Sequence, residues 1–274
     1  CFPAVTSIGN CFLSRSMITC IDVSGCFGLC NIIGDGFMEE SAIEEVNFAG
    51  CFAQVVEIGS HFMGKCRHLK RANFTNCFAM TQNVGSKFLF GCTSLDTLML
   101  PLGFPSATVI GSNFMMHCSS LRELKFNSSA CFGQVSSLGD FFLASCTSLQ
   151  RVDGLSGSFN RVEAVPKDFF SHCASLTAVC LANCFVLAST VESRFFSDCD
   201  ALMLLDLRGS FNDDSDVEPA TLDEVQERCF THCPALQAVI VRPNQVDIFA
   251  TEMAKTHCHP TAKEGIASSS LSST

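Results

Sequence analysis

The chain has 274 residues, 47% of them hydrophobic and only 16% charged, so a large core is available and disorder is excluded for most of its length. A net charge of −10 argues against a nucleic-acid or anionic-membrane partner. No apolar run approaches the ~18 residues that a membrane span needs.

The chain opens at Cys1-Phe2, which aligns with the middle of a repeat and leaves room for an N-terminal cap or signal upstream. From there one unit returns nine times. A Phe is followed four residues later by Cys, then by a Leu and two further apolar residues at alternating spacing. Phe12, Phe37, Phe62, Phe88, Phe114, Phe142, Phe169 and Phe195 hold the Phe slot, and Cys229 holds the ninth. The steps are 25, 25, 26, 26, 28, 27, 26 and 34 residues. A fixed period of this size predicts a solenoid, in which each unit buries its apolar face only against its neighbours. The expectation is an α/β repeat solenoid over residues 1–242, about nine coils of 25–28 residues, with a parallel sheet on one face.

The third unit shows the pattern in full: Cys51-Phe52, Val55, Ile58-Gly59, Phe62, Cys66, Leu69, Ala72 and Phe74. The last part alternates as a strand does, as in Leu95, Leu98 and Leu100. The Phe-to-Cys step of four suits one helical turn with both side chains inward. Gly9, Gly34, Gly59, Gly85, Gly111 and Gly139 mark a corner where a positive φ is expected. Pro166, Glu192 and Gln226 replace this glycine later, so those corners must turn differently.

Leu95 to Pro101, followed by Ile110-Gly111, Phe114, Cys118 and Leu121, resembles the BspA-like leucine-rich repeats found in bacterial surface proteins and in protist families. The resemblance covers roughly residues 1–241. It implies a curved leucine-rich-repeat solenoid with a role in adhesion or protein recognition, and it brings no catalytic residue. Cys-Phe stands here where many members have Ile-Pro or a loop.

Nineteen cysteines would suggest disulfides in a short secreted chain. Here seven share one slot (Cys66, Cys92, Cys118, Cys146, Cys173, Cys199, Cys233), and another set precedes Phe (Cys1, Cys26, Cys51, Cys77, Cys131, Cys184). Stacked coils turn such slots into ladders of small buried residues whose parallel Cβ directions disfavour bridging. Reduced ladders suit a cytosolic setting, whereas the family resemblance points to a cell surface; the compartment stays open. Cys229-x-x-x-Cys233 with His232, and His257-Cys258-His259, lack the ligand spacing of a structural zinc site. His117, His172 and His232 occupy a slot filled elsewhere by Lys65, Gly91, Ser145 and Asp198, which marks it as surface. No metal or other cofactor is expected.

Outward positions on the strands form the candidate site. Coils two to six present mixed charge at Glu45, Arg71, Glu123, Lys125, Arg151 and Asp153, and the later coils add Leu204 and Asp206 beside a mostly apolar stretch. Solenoid sheets make extended recognition faces, so these eight are the candidate partner-binding residues. The competing reading is a solvated face whose apolar end packs under the C-terminal segment.

The ninth period is long because of an acidic insertion, residues 210–224, with Asp213, Asp214, Asp216, Glu218, Asp223 and Glu224. It lacks the full calcium-loop signature and reads as a flexible acidic loop. After the solenoid, Val246, Phe249, Ala250 and Met253 mark one face of a capping helix within 243–258, followed by a disordered Ser-rich tail over 259–274. Three functions compete: a non-catalytic module binding a protein partner through its sheet face, a structural spacer or regulatory segment, and an enzyme. No phosphate loop, nucleophile elbow or metal motif supports the third.

Overall fold

A computed structural model of the chain describes residues 2, 4–127, 131–211, 222–242, 245–255 and 266–268, without the side chains of 252, 255 and 266–268. Each coil contributes two very short strands to two parallel walls. One wall is built from two-residue strands running from Ser7–Ile8 to Glu224–Val225, nine among the described residues, so it spans eight turns of the solenoid. The other is built from three-residue strands from Cys20–Asp22 to Leu204–Asp206, followed by the longer Ala238–Val241 and, at its edge, Ile266–Ser268. Strands this short cannot persist alone, and stacking supplies each with parallel partners one period away. The register is strict: Glu45 lies beside Arg71, Arg71 beside Thr97, and Leu124 beside Val152. Val46, Ala72, Leu124, Val152, Val179 and Leu205 turn inward from the centres of their strands, as the alternation requires.

Neither wall is unbroken. The two-residue wall divides into a six-stranded and a three-stranded sheet between Ser137–Leu138 and Ala164–Val165. The other divides between Thr97–Met99 and Glu123–Lys125.

The Phe-to-Cys turn places both side chains inward as expected, with Phe62 and Cys66 fully buried. The expected helical turn is corrected. Backbone handedness alternates instead, with positive φ at His61, Met63 and Lys65 (62°, 50° and 57°). Hydrogen bonds therefore run between coils: His61 N–H donates to Ser86 O at 2.8 Å, Met63 N–H back to Phe37 O at 2.7 Å, and Lys65 N–H to Phe90 O at 2.5 Å. The same alternation recurs at Lys87 and Leu89, at Asn113, Met115 and His117, and at Phe141, Leu143 and Ser145. A left-handed residue costs on the order of 1–2 kcal/mol, and the inter-coil bonds with the burial of the turn offset that cost.

The corner glycines have a different purpose from the one expected. Gly59, Gly85 and Gly111 do not have positive φ; a Cβ on Gly85 would stand 2.5 Å from Gly59 C and from Ser60 N of the coil below. Close stacking of corners excludes a side chain there. Where Pro166, Glu192 and Gln226 take over, the turns do change. Phe170 and Phe196 send their N–H groups forward, to Phe195 O at 2.9 Å and Cys229 O at 2.8 Å, whereas Met115 and Leu143 bond backward.

Two parallel stacks of phenylalanine rings run through the core. Phe37, Phe62, Phe88, Phe114, Phe142 and Phe169 stack at 4.8–5.3 Å between centroids. Phe27, Phe52, Phe78 and Phe104 form the second stack, at 5.4–5.8 Å. Rings of one stack meet those of the other edge-on, as Phe62 meets Phe78 at 87°. Both are favoured aromatic geometries.

The two cysteine ladders flank these stacks, and most of their thiols bond to a carbonyl of the coil below, whereas Cys131 bonds to Gly154 O of the coil above at 3.3 Å. Cys66 Sγ–H donates to Met38 O at 3.0 Å, Cys92 to Met63 O at 3.1 Å and Cys199 to Phe170 O at 3.2 Å. In the second ladder Cys51 donates to Val23 O at 2.9 Å and Cys184 to Leu155 O at 3.0 Å. No disulfide joins the described cysteines, and Cys11, Cys20 and Cys180 are exposed. Burial pushes the Cys77, Cys146 and Cys199 thiols up to about 12.

At the C-terminal end the helix Val246–Lys255 covers the last coils. Phe249 is fully buried 6.0 Å from Phe211 and 6.2 Å from Phe230, and Gln245 donates to Ser210 O and Phe211 O at 3.0 Å each. Within the segment expected to be disordered, Ile266–Ser268 pairs in parallel with Ala238–Val241. The rest of that tail and residues 212–221 of the acidic insertion lie outside the described residues, as does His257-Cys258-His259.

Candidate functional site

Period-two alternation puts the two flanking residues of each three-residue strand outside and the central one inside. Arg71, Glu123, Lys125 and Arg151 are exposed, Glu45 and Asp153 half-buried, and Leu204 is 38% exposed. Asp206 departs from this pattern. It is only 7% exposed, because Arg208 folds over it with Nε 2.9 Å and Nη2 2.6 Å from its carboxylate oxygens. Burial raises the Asp206 pKa, but these bonds outweigh it and hold the carboxyl below its ordinary range. Asp206 therefore supports Arg208 at the edge of the face and presents no free carboxylate.

The other charges are paired along the face. Arg71 donates to Glu45 on the neighbouring strand, Lys125 Nζ lies 2.5 Å from Glu123 Oε2, and Arg151 Nε donates to Asp153 Oδ1 at 2.7 Å. The bond that Asp153 accepts holds the Arg151 guanidinium above even its usual pKa. Exposed pairs of this kind contribute little to stability, because water screens them and holding two long side chains in one geometry costs entropy. Their effect is to leave a nearly neutral polar surface that grades into the exposed Cys180 and Leu204.

The structure divides the eight candidates between two sheets. Glu45 and Arg71 belong to the first, and Glu123, Lys125, Arg151, Asp153, Leu204 and Asp206 to the second. A crevice of about 330 Å³ marks the division, lined by Asp96, Thr97, Leu98, Arg122, Glu123 and Lys125. The division falls where a cap is lost. In the preceding coils Asp22, Asn47 and Asn73 each accept the N–H two residues on, at 3.0–3.2 Å, and the side chains bond to one another. Met99 then occupies the Asn slot, and Pro101 has no N–H to be capped. The sequence carries a signal for this ladder in the recurrence of Asp or Asn in one slot, at Asp22, Asn47 and Asn73.

Among the described residues no group of three or more His, Cys, Asp or Glu side chains could hold a metal ion. Cys229 and Cys233 are fully buried, and exposed His232 bonds through Nδ1 to Asp198 Oδ1 at 2.8 Å. No described helix is long and apolar enough to cross a membrane.

The BspA type leucine rich repeat region matches this chain at residues 31–177, 82–213 and 160–258. None of the curated proteins matches it. Similar solved structures include a leucine-rich repeat protein from Eubacterium ventriosum, at 14% identity and a TM-score of 0.43, covering 82% of this chain and 80% of that one. One from Bacteroides ovatus has 14% identity and a TM-score of 0.28, covering 93% and 87%. A leucine rich cell surface protein from Faecalibacterium prausnitzii has 14% identity and a TM-score of 0.26, covering 97% and 91%.

Proposed function

This chain belongs to the BspA type leucine rich repeat family, and from that premise we propose that it is a non-catalytic recognition module, adhesive or scaffolding, that binds a protein partner through the wall of three-residue strands. The observation that carries the reading is the register. It aligns outward side chains in rows, Glu45 beside Arg71 and Glu123 beside Arg151, then Ala178, Leu204 and Ala238. A partner laid across the coils meets polar, internally compensated positions first and an apolar patch at Leu204 afterwards. Such a surface suits protein recognition, where a desolvated apolar centre supplies affinity and a polar rim supplies register.

The test compares the natural chain with an Arg151→Glu, Leu204→Asp variant in affinity capture, both confirmed folded. A partner held by the first and lost by the second supports the proposal; equal capture by both refutes it. A second reading, a structural spacer within a larger protein, is favoured by one observation: the charges of this face are already paired with one another. Failure of both chains to capture any protein would support that reading.

A further inference from the structure

Two adjoining hollows run along the edge of the first five coils, between the Phe-to-Cys turns and the three-residue strands. One, of about 450 Å³, is lined by Arg15, Glu40, Lys65, Arg67 and His68 among others. The next, of about 350 Å³, is lined by Lys65 and Arg67 again, with Phe90 and His117. The shared Lys65 and Arg67 wall makes the two a single groove.

The groove is basic in an acidic chain. Residues 58–95 contain Lys65, Arg67, Lys70, Arg71 and Lys87 and no Asp or Glu. Carboxylates of the coil below engage several of the basic side chains: Glu39 with His61 at 2.7 Å, Glu40 with Lys65 at 2.9 Å, Glu44 with Lys70 at 2.8 Å, and Glu45 with Arg71. Glu40 is also held by Arg15 at 3.0 Å. Arg67 makes no ion pair among the described residues. The groove lining therefore carries three fixed cations, Arg15, Lys65 and Arg67, against one carboxylate, Glu40, a balance of +2 before either histidine is protonated. At the far end the half-buried Phe90 ring meets His117 edge-on at 5.8 Å and adds an apolar wall.

The complementary charge lies in the same sequence. Residues 212–221 hold Asp213, Asp214, Asp216 and Glu218 and no Lys or Arg. This segment cannot reach the Lys65 and Arg67 wall of its own chain's groove. It leaves and re-enters the solenoid at Phe211 and Leu222, about five coils from Lys65, or roughly 24 Å at 4.8 Å per coil. Ten residues looping out and back extend at most about 17 Å. We propose that the groove binds the acidic segment 211–224 of a second copy of this chain. The contact joins two different patches, one at each end of the solenoid, so one copy offers a groove and a segment to two neighbours. Charge complementarity makes the association sensitive to salt.

The test uses a fluorescein-labelled synthetic peptide of residues 211–225 against the full chain, read by anisotropy at low ionic strength. Sedimentation velocity of the full chain is measured alongside. The peptide is expected to bind, and Arg67→Glu to weaken it about tenfold or more by turning attraction into repulsion. A peptide carrying Asn or Gln at positions 213, 214, 216 and 218 should weaken likewise. The natural chain should associate with rising concentration, and the Arg67→Glu chain should sediment as a monomer. Because Arg67 is exposed and makes no ion pair among the described residues, that variant should keep the natural melting temperature; Arg67→Gln replaces it if it does not. Peptide binding unaffected by either Arg67 variant overturns the groove as the site. A chain that binds the peptide yet stays monomeric at every concentration overturns the second copy as its occupant. Arg151→Glu on the strand face should leave peptide binding unchanged, which separates this proposal from the one above.

Discussion

Ser210 and Cys184 hold the same slot one coil apart and make the same bond. Ser210 Oγ–H donates to Leu181 O at 2.7 Å, and Cys184 Sγ–H donates to Leu155 O at 3.0 Å. Both side chains are fully buried. In these two coils the ladder slot holds a small donor beneath a carbonyl, and sulfur is one way to supply it. A buried carbonyl that loses its donor costs about 1–3 kcal/mol. Cys184→Ala should destabilise by that amount, and Cys184→Ser by less than about 1 kcal/mol. Chemical denaturation of both variants checks the order. An alanine variant as stable as the serine variant would remove the hydrogen bond as the reason for the ladder.

Phe114 lies between Phe88 at 5.3 Å and Phe142 at 5.0 Å, and meets Phe132 edge-on. Its truncation to alanine should cost about 3–5 kcal/mol, as for other large buried aromatics. A loss below about 1 kcal/mol in a urea melt would contradict a ring stack that carries the core.

Gly85→Ala should destabilise by about 1–3 kcal/mol, because the new Cβ would meet backbone that cannot move aside. Gly28→Ala is the control. Nothing lies within 4 Å of a Cβ there and its φ is not positive, so the change should be within about 0.5 kcal/mol of neutral. Equal effects at the two positions would refute the close-stacking account of the corner glycines.

How much of this was legible in the sequence follows from what a repeat records. A slot that recurs every 25–28 residues must stack on itself, so the Phe and Cys columns and the inward Leu positions were readable directly. The Phe-to-Cys spacing of four was not decisive, because a helical turn and an alternating-handed turn both bring positions 62 and 66 to one side. The corner glycines misled for a related reason: the sequence shows that a side chain is excluded and not whether φ or a neighbouring coil excludes it. On the candidate face, outward alternation correctly exposed Arg71, Glu123, Lys125 and Arg151. It failed for Asp206, whose burial depends on how Arg208 folds back. The crevice was invisible in the apolar pattern, since Leu95, Leu98 and Leu100 match every other coil; only Met99 and Pro101 marked it.

Thiol chemistry tests the ladders in solution. At pH 8 an alkylating reagent should modify Cys11, Cys20 and Cys180 in the folded protein, while Cys77, Cys146 and Cys199 react only after unfolding. The buried thiols hold their protons to about 12, against an ordinary value of 9.0. Folding therefore gains from them fully below pH 9.0 and loses that gain as pH rises towards 12. Melting temperature should accordingly decline above about pH 9. Rapid labelling of Cys146 at pH 8 in the folded chain would show that the ladder is open to solvent.

The central claim is that partners are read by the wall of three-residue strands. Its most direct test is a binding titration of a captured partner against three folded chains: the natural one, Arg151→Glu with Leu204→Asp on that wall, and Glu57→Lys with Asn83→Asp on the exposed positions of the opposite wall. The account predicts that affinity falls by about tenfold or more for the first variant and is unchanged for the second. Equal affinity for all three chains, or loss only with the opposite wall, would contradict it.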